Sequence, residues 1–224
     1  MAAGPWPEGV IQLRSTRGAY AYVVAARETD ADDGSSPPTG PVLIDTGLPG
    51  RAKAILAELR QHDVPTLSDI VVSHGDVDHI GNLAALVEAT GARAWLPKGD
   101  RPYIMEGRPR PGVKRLIGAI VHVRPPAAAA DLIGGDRVGP LVVIATPGHS
   151  PGHLAFAGPG FLAVGDALAS VRGKIVPSHG LLAWDSAEAA ASATRILAGY
   201  RGWILPAHQE PFWYEDPRRA SAPA

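Results

Sequence analysis

Four side chains able to hold a divalent cation, His74, Asp76, Asp78 and His79, fall within six consecutive positions, directly after the apolar, β-branched stretch Asp69-Ile-Val-Val. A strand ending there delivers all four into one loop at the edge of a sheet. Imidazole together with carboxylate suits borderline and harder ions such as zinc, iron and manganese. Polar groups gathered this densely beside a buried strand are costly unless something partners them, so the cluster reads as a metal site. The chain has no cysteine. Thiolate ligands and disulfides are therefore excluded, and any metal must be held by His and carboxylate.

Four other apolar runs end in the same way. Val42-Leu-Ile precedes Asp45-Thr-Gly47, and Leu141-Val-Val-Ile-Ala precedes Thr146-Pro-Gly-His149-Ser-Pro-Gly-His153. Phe161-Leu-Ala-Val precedes Gly165-Asp166, and Trp203-Ile-Leu precedes Pro206-Ala-His208. Strand ends that each carry a polar group or two are expected to converge on one edge of a folded sheet. Taken in order, Asp-Thr-Gly, His-x-Asp-x-Asp-His, His, Asp and His resemble the motifs of the metallo-β-lactamase superfamily over residues 42–208. The resemblance implies that family's fold, an α+β four-layer αββα sandwich.

The resemblance also implies roles. It assigns His74, Asp76 and His149 to one cation and Asp78, His79 and His208 to a second, with Asp166 between them. Asp78 doubles as acceptor or relay of the attacking water's proton. Asp45 stands behind the ligands and orients a histidine by hydrogen bonding. Such a pair of cations acidifies a shared water toward a pKa of about 7. That chemistry suits hydrolysis of an ester, lactone, thioester, amide or phosphoester of a small molecule. Most family members carry His where this chain has Asp76, and a carboxylate hardens that half of the site. Two divalent ions are expected, zinc first, with iron or manganese favoured by Asp76. Flavodiiron reductases resemble the chain at this position, so an iron-dependent oxidoreductase without its own flavin domain is the runner-up, and a non-catalytic metal-binding module the third reading. Dizinc β-lactamases differ, placing Cys where Asp166 stands. Glyoxalase II shares Thr-Pro-Gly-His and the bridging Asp but adds a C-terminal helical region for glutathione, whereas sixteen residues follow His208 here.

Composition narrows the classes further. With 224 residues, 46% of them hydrophobic and 19% charged, the chain is expected to form one domain over residues 1–224. A formal net charge of −1 argues against a nucleic-acid partner. The N-terminus shows no basic and apolar leader, and no stretch has the uncharged length of a membrane span. A cytoplasmic protein with a small-molecule substrate and no membrane association is the expectation; its oligomeric state is left open.

Periodicity places strands at Val10–Leu13 and Ala19–Ala26 and helices at Arg51–His62, Gly81–Thr90 and Ala187–Ala198, the last opened by the box Asp185-Ser-Ala-Glu188. Residues 28–40 read as a solvated loop. Residues 98–126 read as a cover insertion with a short helix near Val113–Ile120, its cations opposed by Asp100 and Glu106. Tyr103 and Arg108 of that insertion, and His179 in the loop after Asp166, are candidate substrate contacts. His153 reads as structural, and His62 and His122 as surface or half-buried residues.

Overall fold

Along the central strands, successive apolar side chains enter different cores, and this period of two sets the layering. The computed structural model describes residues 4–25, 40–108, 123–172, 174–178 and 183–216. A first sheet holds β1 (Val10–Leu13), β2 (Ala21–Val24), β3 (Val42–Ile44), β4 (Asp69–Val71), β5 (Arg93–Pro97) and β6 (Ala130–Leu132) in chain order. Its β3 to β6 are mutually parallel. The chain continues through β7 (Arg137–Val138), β8 (Leu141–Ala145), β9 (Leu154–Gly158) and β10 (Phe161–Gly165), then a separate hairpin of β11 (Leu168–Val171) and β12 (Lys174–Pro177). With β13 (Arg201–Pro206) and β14 (Phe212–Glu215), the second sheet runs β14-β13-β10-β9-β8-β7.

Val42, Ile44 and Val71 of the first sheet meet Phe156, Phe161 and Leu205 of the second in the central core. Their neighbours Leu43, Ile70 and Val72 point the other way, onto Ile55 and Leu59 of helix α1 (Ala52–Gln61) and onto Leu83 and Leu86. On the far side Leu162, Val164 and Ile204 pack with Ala193 and Ile196. Three cores separated by two sheets make the expected αββα sandwich.

The predicted helix from Gly81 is divided. One turn, α2 (Val77–Ile80), carries Asp78 and His79, and α3 (Leu83–Thr90) follows, supplying Leu83 and Leu86. The cause is local competition. The Gly81 N–H donates to Gly47 O and the Asn82 N–H to Thr46 Oγ1, so neither continues the helical ladder. Helix α4 (Arg101–Met105) follows β5, with Ile104 buried and Met105 packed against the same core, so this stretch pins the segment to the body. The helix expected near Val113–Ile120 lies outside the described residues, as does most of the loop at 28–40. Helix α5 (Ser186–Leu197) supplies Ala193 and Ile196, and Asp185 caps it by accepting from the N–H groups of Ala187 and Glu188. Among the described residues no helix is long and apolar enough to cross a membrane.

Candidate metal centre

Strand direction brings the motifs together. Because β3, β4 and β5 are parallel, Asp45, His74 and Asp100 follow their C-terminal ends on one edge. In the second sheet β8 and β10 are each antiparallel to β9, and β13 is parallel to β10, so His149, Asp166 and His208 also follow strand ends of one direction. The single turn of α2 folds Asp78 and His79 back beside His74, held by His79 N–H to Asp76 O. Gly165 has φ +49, and a Cβ there would stand 2.9 Å from His153 Nε2 and from Ser73 Cβ and Oγ, so glycine lets the next residue, Asp166, reach the cluster.

Three overlapping groups result: His74, Asp76 and His149; Asp78, His79 and His208; and His74, His79 and Asp166, each with ligand atoms within 4.8 Å of one another. The two oxygens of Asp166 divide between them. Oδ2 lies 3.5 Å from His149 Nε2 and 4.0 Å from His74 Nε2, and Oδ1 lies 3.4 Å from His79 Nε2 and 3.2 Å from His208 Nε2. Asp76 Oδ2 sits 3.2 Å from His149 Nε2, and Asp78 Oδ2 3.5 Å from His208 Nε2.

The opposite edges of the rings are anchored. Asp45, at φ +61, accepts from Ser73 N–H at 2.8 Å and Ser73 Oγ–H at 2.7 Å, and its Oδ2 lies 2.9 Å from His79 Nδ1. With its one proton given to Asp45, Ser73 Oγ accepts from His74 Nδ1–H at 3.1 Å, leaving the His74 Nε2 lone pair directed inward. Ser178 Oγ contacts His149 Nδ1 at 2.7 Å. His153 is buried between Thr146 Oγ1 and the Asp166 N–H, so it positions Asp166 and stands behind the cluster.

The titratable groups of the cluster act strongly on one another. Burial opposes the charged form of His79, yet the carboxylates of Asp45 and Asp166 raise its pKa well above the ordinary imidazole value. Burial, with His79 alongside, holds His74 well below it. Asp166 is pushed up by burial but drawn well below the carboxylate range by His79, His208 and His74. His208 is raised by its contact with Asp166. Meanwhile His74 Nε2, His79 Nε2 and Asp166 Oδ1 are buried with no hydrogen-bond partner. Buried donor atoms without partners, beside the carboxylates of Asp76, Asp78 and Asp166, fit divalent cations: imidazole nitrogen and carboxylate oxygen, with no thiolate.

Several contributors were not legible beforehand. Asp100, read as a counter-charge for surface cations, is buried instead and accepts from Gly75 N–H at 2.8 Å and Gly152 N–H at 2.7 Å. It thereby ties the His74 loop to the His149 loop, and burial raises its pKa. Ser73, Ser178 and Trp184 carried no distinguishing signal. Tyr103 reaches Trp184, ring centroids 6.1 Å apart, and the Trp184 N–H donates to His149 O, so this aromatic pair borders the cluster. Arg108 is not brought to it; its guanidinium pairs with Glu106 at 2.9 Å on the surface. His179 lies outside the described residues, as does His122.

The fold and its His/Asp edge define a class: αββα sandwiches built to present a metal-binding cluster where two sheets meet. The chain belongs to the metallo-beta-lactamase superfamily, whose family model matches residues 36–208. It is 32% identical over 152 residues to YobT of Bacillus subtilis, covering 63% of this chain and 62% of YobT. It is 35% identical over 115 residues to a hydroxyacylglutathione hydrolase of Pseudomonas aeruginosa, covering 50% of this chain and 36% of that enzyme. The chain thus spans less than two thirds of the length of these relatives. Among solved structures it resembles TTHA1623 in a di-iron-bound form, with a TM-score of 0.70, 27% identity, and coverage of 91% of this chain and 93% of that one.

Proposed function

We propose that the protein is a hydrolase of a small-molecule ester, lactone, thioester or phosphoester, working with two divalent cations, zinc first and iron or manganese next. The observation that carries this reading is the division of Asp166, whose two oxygens each face a different His/Asp group. His74, Asp76 and His149 would hold one ion, and Asp78, His79 and His208 the other. Bound there, the ions would supply Lewis acidity and an acidified water. The chain's own groups do the rest. Asp45, Ser73 and Ser178 hold the imidazoles so that their Nε2 atoms face inward. Asp78, whose side chain is 23% exposed, accepts the water's proton at Oδ in this reading.

Protein purified without chelator should carry close to two metal ions per chain. It should turn over at least one member of an ester, lactone, thioester and phosphodiester panel, losing that activity to chelation and regaining it with added metal. A chain that stays metal-free under zinc, manganese and iron supplementation refutes the proposal. Metal uptake without any turnover would leave a non-catalytic module. A second reading, an iron-dependent oxidoreductase served by a separate electron donor, is favoured by Asp76 and by the iron in the TTHA1623 structure. Reduced-minus-oxidised spectra and oxygen uptake of iron-loaded protein separate it from the first.

A further inference from the structure

Beside the cluster lies a cavity of about 290 Å³, with His149, Asp166 and His208 in its lining. Its walls are mostly apolar, Leu168, Ala169, Val171, Val176 and Pro177 of the β11–β12 hairpin and Pro206 at the end of β13, with Ser178 and Gln209 beside them. The hairpin is held in place from both sides. The side-chain amide of Gln209 accepts from Ser170 N–H at 2.6 Å and donates to Ser170 O at 2.7 Å. At the other end Ser178 N–H donates to Ala167 O while Ser178 Oγ contacts His149 Nδ1. The wall is therefore fixed to the neighbours of two cluster histidines.

From this geometry we infer that the site takes an uncharged ester or lactone with a short apolar group flanking the scissile carbonyl, and that the β11–β12 hairpin is the specificity-determining wall. This deepens the hydrolase reading and rests on it. An aliphatic group leaving water for this wall gains the full transfer term. An anionic substituent would lose its hydration against this wall without meeting a cationic side chain among the described residues. Among the described residues the lining includes neither Lys nor Arg, and Arg172 and Lys174, at the hairpin turn, are not part of it. At roughly 30 Å³ per water-sized group the cavity has room for about ten such groups. It lies at the small end of ligand pockets, where a compact chain fits and a bulky conjugate does not.

The test uses two neutral series on zinc-loaded protein: p-nitrophenyl esters from acetate to octanoate, and acetate esters of ethanol to hexanol. In at least one, kcat/KM should rise roughly fourfold per methylene before levelling at about six to eight carbons. Mono-p-nitrophenyl glutarate should fall at least tenfold below the neutral ester of similar length. Ala169→Phe, which narrows the cavity, and Val176→Asp, which charges its wall, should each cut the hexanoate-to-acetate ratio about tenfold. Binding of hexanamide, a poorly hydrolysed neutral analogue, is followed separately by ligand-observed NMR and should weaken in Ala169→Phe.

The outcomes separate this inference from the reading beneath it. Turnover with flat dependence in both series, or a preference for the glutarate monoester, overturns the apolar site while the hydrolase stands. Hexanamide binding that Ala169→Phe abolishes, without turnover of any ester, lactone, thioester or phosphodiester, keeps the apolar site and removes the hydrolase. Neither turnover nor hexanamide binding overturns both.

Discussion

The Asp45 carboxylate lies 2.9 Å from Nδ1 of His79, although 34 residues separate them, and the same carboxylate receives both the N–H and the hydroxyl of Ser73. One side chain at a left-handed backbone position (φ +61) thus fixes two consecutive strand-end loops. Aspartate and asparagine tolerate that backbone conformation better than other non-glycine residues. Asp45→Asn should therefore preserve the fold while removing the negative charge that aims His79. Metal affinity should fall about 10- to 100-fold, read by competition with a chromophoric chelator. Wild-type affinity would show that His79 does not depend on Asp45.

Asp76 Oδ2 stands 3.2 Å from His149 Nε2, in the group that also contains His74. Replacing this hard oxygen donor with nitrogen softens one half of the site. Asp76→His should shift a zinc, manganese and iron competition toward zinc without altering the far-UV circular dichroism. An unchanged ranking would remove Asp76 from the selecting ligands.

Asp100 bridges two backbone N–H groups from different loops, Gly75 and Gly152. An asparagine there keeps one acceptor oxygen and places an amide donor against the second N–H. Leaving that buried group unsatisfied costs about 1–3 kcal/mol. Asp100→Asn should lower unfolding free energy in urea by that amount and weaken metal binding with it. Loss of stability at unchanged metal affinity would confine Asp100 to the fold.

Tyr103 and Arg108 belong to the same segment but occupy different surroundings. Tyr103 faces Trp184 beside the His149 loop, whereas Arg108 pairs with Glu106 in solvent. Tyr103→Ala is expected to raise KM or reorder substrate preference at unchanged metal content, and Arg108→Ala to leave kinetics within about twofold, as for an exposed ion pair. Identical kinetics in both variants would reduce the segment to packing.

Glu58 of α1 accepts the N–H groups of Arg14 and Ser15, each at 2.7 Å. Partial burial raises its pKa, but these hydrogen bonds outweigh that and lower it from 4.5. A depressed folded pKa stabilises the protein above the unfolded value and loses that contribution as pH falls through the folded one. The melting-temperature gap between wild type and Glu58→Gln should be constant near neutrality and close progressively below about pH 5. A gap that widens with acidity would contradict the assignment.

What the sequence by itself determined was local in origin. Short uninterrupted apolar runs at Val42–Ile44, Ile70–Val72 and Phe161–Val164 marked strands, and Asp185-Ser-Ala-Glu188 marked a helix start. The order of His and Asp residues at five strand ends carried the family, because each motif is short and contiguous. The tertiary structure alone decided the rest. Asp100 acts across 25 and 52 residues, Ser178 across 29, and the cavity wall joins a hairpin to a strand end some 30 residues further on. No spacing rule encodes such contacts, since they arise from how two sheets pack and which loops their edges bring side by side. For the same reason Asp100, which composition leaves looking like one more surface charge, becomes the buried tie between the two loops that carry His74 and His149.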